Sequence, residues 1–218
     1  MPQVFGPGSN AVARATLVVG VLLVIAAGAG SWAVWSSPYM TRQHLALDQP
    51  VPFSHKHHHG ALGIDCRYCH TSAETSSSAG MPSTETCMTC HSQVWTQAPV
   101  LQPVRESWRT GQPIRWTRVY DNPDYVYFDH SIHVQKGIGC SSCHGRVDQM
   151  PLLAKEHTLW MRWCLDCHRH PEEHVRPREQ VFSMQYQPPV SQLETGRALV
   201  NAYQIDAHRL TDCSLCHR

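Results

Sequence analysis

The sequence predicts a fold of short α-helices and loops built around bound prosthetic groups, with one transmembrane helix at the N-terminal end. Three observations support this prediction. Only 8% of the 218 residues are aromatic and 16% are charged, and 15 prolines and 13 glycines add to a poor composition for a conventional hydrophobic core. All ten cysteines fall in one repeated motif, and a long segment near the N-terminus carries no charge.

The repeated motif is C-x-x-C-H, which occurs five times and is numbered here from motif 1 to motif 5 in chain order. The motif residues are Cys66, Cys69 and His70; Cys87, Cys90 and His91; Cys140, Cys143 and His144; Cys164, Cys167 and His168; and Cys213, Cys216 and His217. Two thiols at this spacing can form thioethers to the two vinyl groups of one porphyrin, and the imidazole that follows reaches its iron. Zinc sites or disulfides would explain paired cysteines but not the histidine after each pair. We therefore predict five covalently bound haem c groups, stacked within a multihaem cytochrome c fold.

The uncharged segment, residues 15–35, is long enough to cross a bilayer as one helix. Trp32, Trp35 and Tyr39 crowd its C-terminal end, as aromatic residues do at a membrane interface. The alternative is a cleaved signal peptide, with Arg14 as its basic region and residues 27–29 as its cleavage site. We interpret the segment as an uncleaved anchor.

The anchor divides the chain into a tail (1–14), a transmembrane helix (15–35) and a haem domain (36–218). Because c-type haem is attached outside the bacterial cytoplasm, we predict a single-pass protein of the inner membrane with its haem domain in the periplasm. Arg14 in the short tail weakly favours the same orientation, with the tail in the cytoplasm. The formal net charge of +1 gives no basic bias toward nucleic acid.

The haem domain contains an internal duplication. The pattern F-x-H-x-x-H precedes motif 1 and again motif 3, so that Phe53 and Phe128 lie 75 residues apart. A further C-x-x-C-H motif follows in each copy, and the two repeats span 53–91 and 128–168. The fifth motif, at 213–217, is an addition at the C-terminal end.

The two histidines of each repeat are predicted to be distal haem ligands, because a six-coordinate iron needs a second axial ligand. Two histidines three residues apart on a short helix share one side of it but diverge, so they can serve two neighbouring haems. The predicted distal ligands are His55, His58, His130 and His133. His57 and His59 are interpreted as non-ligands in a histidine-rich turn.

The residues alone do not decide which side chain is the fifth distal ligand. The candidates are Met161, His157 and His208, followed by His44, His170 and His174. A methionine thioether would raise the reduction potential of its haem relative to a site with two histidines. An isolated methionine among aromatic residues is, however, more often a packing residue.

Two long segments have no attachment motif. Residues 92–127 are rich in Trp and Tyr, and residues 119–128 are compatible with a short strand or hairpin arm. Residues 171–189 begin and end with proline and predict an extended loop. Such segments either wrap the haems or contact a partner protein.

Several of these segments resemble the pentahaem cytochrome c subunit of alternative complex III. The segments are 53–58, 81–91 and 161–169, together with the N-terminal anchor, and the resemblance spans nearly the whole chain. It implies an electron-transfer subunit rather than an enzyme, which carries electrons from a quinol-oxidising membrane complex to a periplasmic acceptor such as a monohaem cytochrome c or a copper protein. It also implies iron–sulfur and polytopic membrane subunits as partners, and makes Met161 the leading choice for the fifth distal ligand.

Two other functions compete with this one. A self-sufficient, membrane-anchored multihaem quinol dehydrogenase or a multihaem reductase is the first. A reductase needs an open iron, whereas all five motifs are regular and eleven further histidines are available as ligands. The second is an assembly scaffold in which the haems serve as a core.

Overall fold

The computed structural model describes residues 4–217, which form two compact units, one ending at Gln43 and the other beginning at His44. The first unit contains α1 (Ser9–Ser36) and α2 (Pro38–Thr41). Helix α1 includes the whole predicted transmembrane segment and has no buried residue. Its 28 residues rise by about 1.5 Å each. The total length of the helix therefore exceeds the hydrocarbon thickness of a bilayer, which is about 30 Å. By length and composition, α1 is able to cross a membrane.

The second unit consists of short helices joined by loops. Five of its helices carry the attachment motifs: α3 (Cys66–Cys69), α4 (Thr84–His91), α7 (Cys140–His144), α8 (Met161–Arg169) and α10 (Cys213–Cys216). The other α-helices are α5 (Gln102–Thr110), α6 (His130–Gln135) and α9 (Gln192–Ala202). A π-helix spans Lys56–Ala61, and 3₁₀ turns span Pro99–Leu101, Val147–Gln149, Pro171–Glu173 and Arg178–Gln180. The predicted mostly helical fold, with short helices at the motifs, is confirmed.

The two repeats reach their first motif through the same local structure. Gly63 and Gly137 both adopt left-handed backbone conformations, with φ of 68° and 79°, which glycine accepts without steric cost. Carboxylates cap two of the short helices: Asp65 accepts a hydrogen bond from the backbone N–H of Arg67, and Asp129 from that of Ser131, both at 2.8 Å. These local signals begin helices that are too short to be stable alone.

Conventional core is scarce in the described chain, as the composition predicts. The buried apolar residues are Val51, Ala73, Leu101, Val104, Val119, Val147, Val175, Val181 and Met184. Part of this set, Val51, Leu101 and Val104, packs against Cys87 and Met88 of α4. Residues 92–127 therefore contribute α5 as a support for motif 2, and the Thr84 and Ser107 hydroxyls join the two helices at 2.6 Å.

The strand prediction for residues 119–128 is wrong. The segment makes an isolated antiparallel bridge between Val126 and His217, and the Tyr127 N–H donates to the Cys216 carbonyl at 2.8 Å. Pro123 lacks a donor for a ladder, and the partner of the segment is the end of α10 rather than a strand. The segment instead joins the start of the second repeat to motif 5.

The predicted loop 171–189 contains the two largest fully buried side chains of the second unit. It includes two 3₁₀ turns, and Val175 and Val181 are each only 1% exposed. The Cys140 N–H donates to the Val181 carbonyl at 3.0 Å, so this loop lies directly against motif 3.

We expect the ion pair between Arg146 and Asp148 to make folding sensitive to acid. Asp148 is 8% exposed and accepts two hydrogen bonds from Arg146, at 2.7 and 2.6 Å, which hold the pKa of its carboxyl below the ordinary range. The ionised Asp148 carboxylate therefore stabilises the folded state above the unfolded pKa of about 3.9, and this stabilisation is lost as the pH falls through the lower folded pKa. Asp148→Asn should lower the Tm by about 3 °C at neutral pH, and the difference should shrink in acid.

The matched control is Asp121→Asn, which removes an exposed carboxylate from its pair with Arg118 at 2.9 Å. Solvent-exposed ion pairs contribute little to stability, so this variant should have the same Tm as the unmodified protein. Equal Tm losses in both variants, or a loss in Asp148→Asn that does not depend on pH, would contradict the assignment.

Candidate haem-binding sites

None of the ten cysteines forms a disulfide with another, and eight of them are partly buried. Burial raises the pKa of Cys140 and Cys167 to about 11 and that of Cys143 to about 12. Within residues 4–217, no three His, Cys, Asp or Glu side chains converge in the way that a metal-ion site requires.

Histidines of the motifs face histidines of the F-x-H-x-x-H patterns in pairs. The distances between ring centroids are 6.2 Å for His58 and His91, 6.4 Å for His130 and His144, and 6.1 Å for His133 and His168. A metal bound by two imidazoles on opposite sides, with metal–nitrogen bonds of about 2 Å, separates the ring centroids by roughly 6 Å. The three pairs therefore fit a haem iron between their rings.

The hydrogen bonds of these rings support the same interpretation. Ring nitrogen Nδ1 contacts a backbone carbonyl oxygen in most of the predicted ligands. The pairs are His58 with Ser54 (2.9 Å), His70 with Gly80 (2.8 Å), His91 with Val94 (3.1 Å), His130 with Ser77 (2.9 Å), His133 with Asp129 (2.6 Å), His168 with Leu210 (2.7 Å) and His217 with Tyr125 (3.2 Å). Because a carbonyl oxygen only accepts, Nδ1 carries the proton and Nε2 is free to bind iron.

The phenylalanine of each repeat holds its two histidines in the same geometry. Phe53 stacks on His58 with a centroid distance of 4.3 Å and meets His55 edge-on at 4.9 Å. Phe128 stacks on His133 at 4.5 Å and meets His130 edge-on at 4.8 Å. The shared edge-on and stacked arrangement makes the two histidines of a repeat diverge, as the sequence predicts.

His55 is the fourth predicted distal ligand from the F-x-H-x-x-H patterns. Burial lowers its pKa to about 4, and the His70 imidazole is the next largest cause. Its Nδ1 is buried without a hydrogen-bond partner among the described residues. His55 and His70 are thus neighbours, although the structure gives no ring contact for them like those of the other three pairs.

His217 of motif 5 has its Nδ1 on the Tyr125 carbonyl, but its distal partner is not assigned by the structure. Met161 begins α8 and is 57% exposed. His157 stacks on Trp163 at 4.9 Å, and His208 is exposed. In the part of the chain described, neither histidine pairs with His217.

The histidines interpreted as non-ligands have other contacts. His57 is exposed and stacks on Trp95 at 6.3 Å. The His59 Nδ1 contacts the Ile64 carbonyl at 2.8 Å. His44, one of the candidates for the fifth distal ligand, has its Nδ1 3.8 Å from Glu156.

One positioning residue has no signal in the sequence beyond the aromatic content of its segment. Tyr120 meets the His144 ring edge-on at 4.4 Å, and its hydroxyl accepts from the Glu156 N–H at 3.0 Å. Burial raises its pKa to about 12. Tyr120 therefore fixes one side of the motif 3 imidazole and remains neutral.

Cysteines of different motifs lie close enough to influence one another. For four of the thiols, burial is the largest cause of a raised pKa, and a cysteine of another motif is the second largest. These pairs are Cys69 with Cys87, Cys140 with Cys66, Cys143 with Cys167, and Cys164 with Cys216. Direct contacts agree, because the Tyr68 and Thr89 hydroxyls join motifs 1 and 2 at 2.8 Å. The His130 bond to Ser77 likewise joins the second repeat to the loop after motif 1.

No protein-family model matches the chain. Over 131 residues the chain is 37% identical to a protein of Nitratidesulfovibrio vulgaris named menaquinone reductase, multiheme cytochrome c subunit. The matched region covers 60% of this chain and 58% of that relative. The similarity is to a multihaem cytochrome c, and it spans little more than half of either protein.

Proposed function

We propose that this chain is an electron-transfer subunit that carries five covalently bound haem c groups. The observation that carries the proposal is the set of three imidazole pairs at 6.1 to 6.4 Å, each with one member in a C-x-x-C-H motif. Haem iron with two imidazole ligands supplies reversible one-electron transfer. The chain provides the thioether cysteines, the axial nitrogens and the carbonyl oxygens that orient them.

The axial ligands are assigned by site. The pairs are His70 with His55 at motif 1, His91 with His58 at motif 2, His144 with His130 at motif 3, and His168 with His133 at motif 4. For His217 at motif 5, Met161 stays the proposed partner, with His157 and His208 as alternatives. The effect of Cys216 on the pKa of the Cys164 thiol of α8 supports a ligand from α8.

The attachment sites follow one another in an order that differs from the chain order. The cysteine pairs link motif 2 to motif 1, motif 1 to motif 3, motif 3 to motif 4, and motif 4 to motif 5. His55 and His58 lie on one turn and serve motifs 1 and 2, which supports the link between these two motifs. In the same way, His130 and His133 lie on one helix and support the link between motifs 3 and 4. We infer that the haems are stacked in the order 2–1–3–4–5, with motif 3 in the middle.

We propose a single-pass location in the bacterial inner membrane, with α1 as the anchor and the haem domain in the periplasm. The partners are iron–sulfur and polytopic subunits of a quinol-oxidising complex of the alternative complex III type. The acceptor is a periplasmic protein such as a monohaem cytochrome c or a copper protein. The length and apolar character of α1 support the anchor.

The relative from Nitratidesulfovibrio vulgaris favours a second candidate, in which electrons flow toward menaquinone. The same row of haem sites can carry electrons in either direction. Mixing the oxidised complex with a menaquinol, and the reduced complex with menaquinone, distinguishes the two. Rapid haem reduction in the first experiment supports quinol oxidation, and rapid haem oxidation in the second supports quinone reduction.

His58→Ala tests the haem sites directly. The variant should keep five haems, since both thioethers of motif 2 remain, but one haem of the five should change from low-spin to high-spin. The reason is that His91 would lose the imidazole that faces it at 6.2 Å. Intact mass counts the haems, and absorbance with electron paramagnetic resonance reports the spin state.

The matched control is His57→Ala, which removes the adjacent exposed histidine of the same turn. Its five haems should remain low-spin. A full-length protein that matures in a haem-attaching host without bound haem would refute the proposed function. Identical spectra for the two variants would refute the assignment of His58.

A further inference from the structure

Arg176 is a buried cation in contact with motif 3. Its side chain is 6% exposed, and it lies in the 171–189 segment. Nη2 donates to the Ser142 hydroxyl at 2.9 Å, and Nη1 donates to the Ser141 hydroxyl and to the Ser183 carbonyl, both at 3.3 Å. Ser141 and Ser142 are the two residues between the cysteines of motif 3, so the guanidinium is held by the attachment motif itself.

The chain before motif 3 is shaped around this side chain. A Cβ atom at Gly139 would overlap the guanidinium, and one at Gly137 would overlap the Arg176 carbonyl. The Arg176 N–H donates to the Gly137 carbonyl at 2.8 Å, and the Tyr186 ring covers the guanidinium at 4.5 Å. The position of Arg176 is therefore fixed from several sides.

The described chain supplies no acidic side chain to Arg176. No carboxylate of residues 4–217 forms an ion pair with it, and its buried Nε has no hydrogen-bond partner there. A guanidinium stays protonated even when burial opposes its charge. Its field reaches both cysteines of motif 3, Cys140 and Cys143.

We propose that Arg176 raises the reduction potential of the haem attached to Cys140 and Cys143, which is the middle haem of the proposed order. This inference rests on the proposed function. Ferric haem has one more positive charge than ferrous haem, so a fixed cation nearby disfavours the ferric form. For two charges about 10 Å apart at an effective dielectric constant of about 20, Coulomb's law gives roughly a tenfold change in an equilibrium.

Arg176→Gln in the full-length haem protein is the test, with Arg176→Lys as the variant that keeps the charge. Redox titration followed by haem absorbance should show one of five midpoints lowered in Arg176→Gln. The ferrous-to-ferric ratio at a fixed potential should fall about tenfold, which equals about 59 mV for a one-electron couple. Arg176→Lys should retain most of the original midpoint. A second substitution, His130→Met, assigns the shifted midpoint, because a methionine ligand raises the potential of the same haem.

The outcomes separate this inference from the proposed function. Five attached haems with unchanged midpoints in Arg176→Gln would overturn the inference and leave the proposed function intact. Equal shifts in Arg176→Gln and Arg176→Lys would indicate a packing role and would also overturn it. If Arg176→Gln does not accumulate, Arg176→His replaces it, since its charge is present near pH 5 and absent near pH 8. One midpoint should then fall with rising pH more steeply than in the unmodified protein, and equal slopes would overturn the inference.

Discussion

Replacing Cys140 and Cys143 together with alanine is expected to stop electron exchange between the two halves of the proposed haem row, while four of the five proposed haems remain attached. In the proposed order motif 3 joins motifs 2 and 1 to motifs 4 and 5, because Cys66 raises the pKa of the Cys140 thiol and Cys167 that of the Cys143 thiol. Intact mass should show the loss of one haem. Pulse reduction of the purified protein should then leave two groups of haems that no longer equilibrate on the time scale of the unmodified protein.

The matched control removes the same number of thioethers from the end of the row, at Cys213 and Cys216. Its remaining sites, motifs 2, 1, 3 and 4, stay contiguous, so redistribution of electrons among them should continue at the original rate. Uninterrupted exchange in the motif 3 variant would refute the order 2–1–3–4–5. So would a loss of exchange of the same size in both variants.

The sequence predicted the parts of the sites that are local in the chain. Two thiols and an imidazole within five residues specify an attachment site, and Phe53 with His55 and His58 specifies a diverging pair, because one helical turn sets these positions. The structure brings His58, His130 and His133 to motif histidines as this pattern requires.

The sequence could not predict which histidines meet, because that depends on contacts between distant residues. His58 faces His91 across 33 positions, and His130 of the second repeat contacts Ser77 in the loop after motif 1. Arg176 was missed for a related reason. A proline-rich segment with arginine is typical of an exposed loop, whereas here the serines of motif 3 and Gly139 before it leave a space that the guanidinium fills.

Gly196→Ala is expected to destabilise the haem domain by about 1–3 kcal/mol, although alanine is normally the better residue in a helix interior. Gly196 is the buried residue of α9, where the helix crosses the 3₁₀ turn at Pro171–Glu173. A Cβ atom there would lie closer than 3.0 Å to the carbonyl oxygen, carbonyl carbon and Cα of Glu172. Backbone atoms cannot rotate away as a side chain can, so α9 would have to move.

Movement of α9 would also break the contacts that hold the turn beneath it. The Gln192 amide donates to the Glu172 and Val175 carbonyls at 3.0 Å, and Val175 is one of the most buried residues of the domain. Thermal unfolding of the full-length haem protein should therefore begin at a lower temperature in Gly196→Ala. The matched control is Gly28→Ala, at a helical glycine of α1 where the added Cβ has no atom within 4 Å beyond the neighbouring residues and backbone of its own helix, and it should leave the Tm unchanged. Equal Tm values for Gly196→Ala and the unmodified protein would show that α9 does not pack on this turn as closely as its geometry requires.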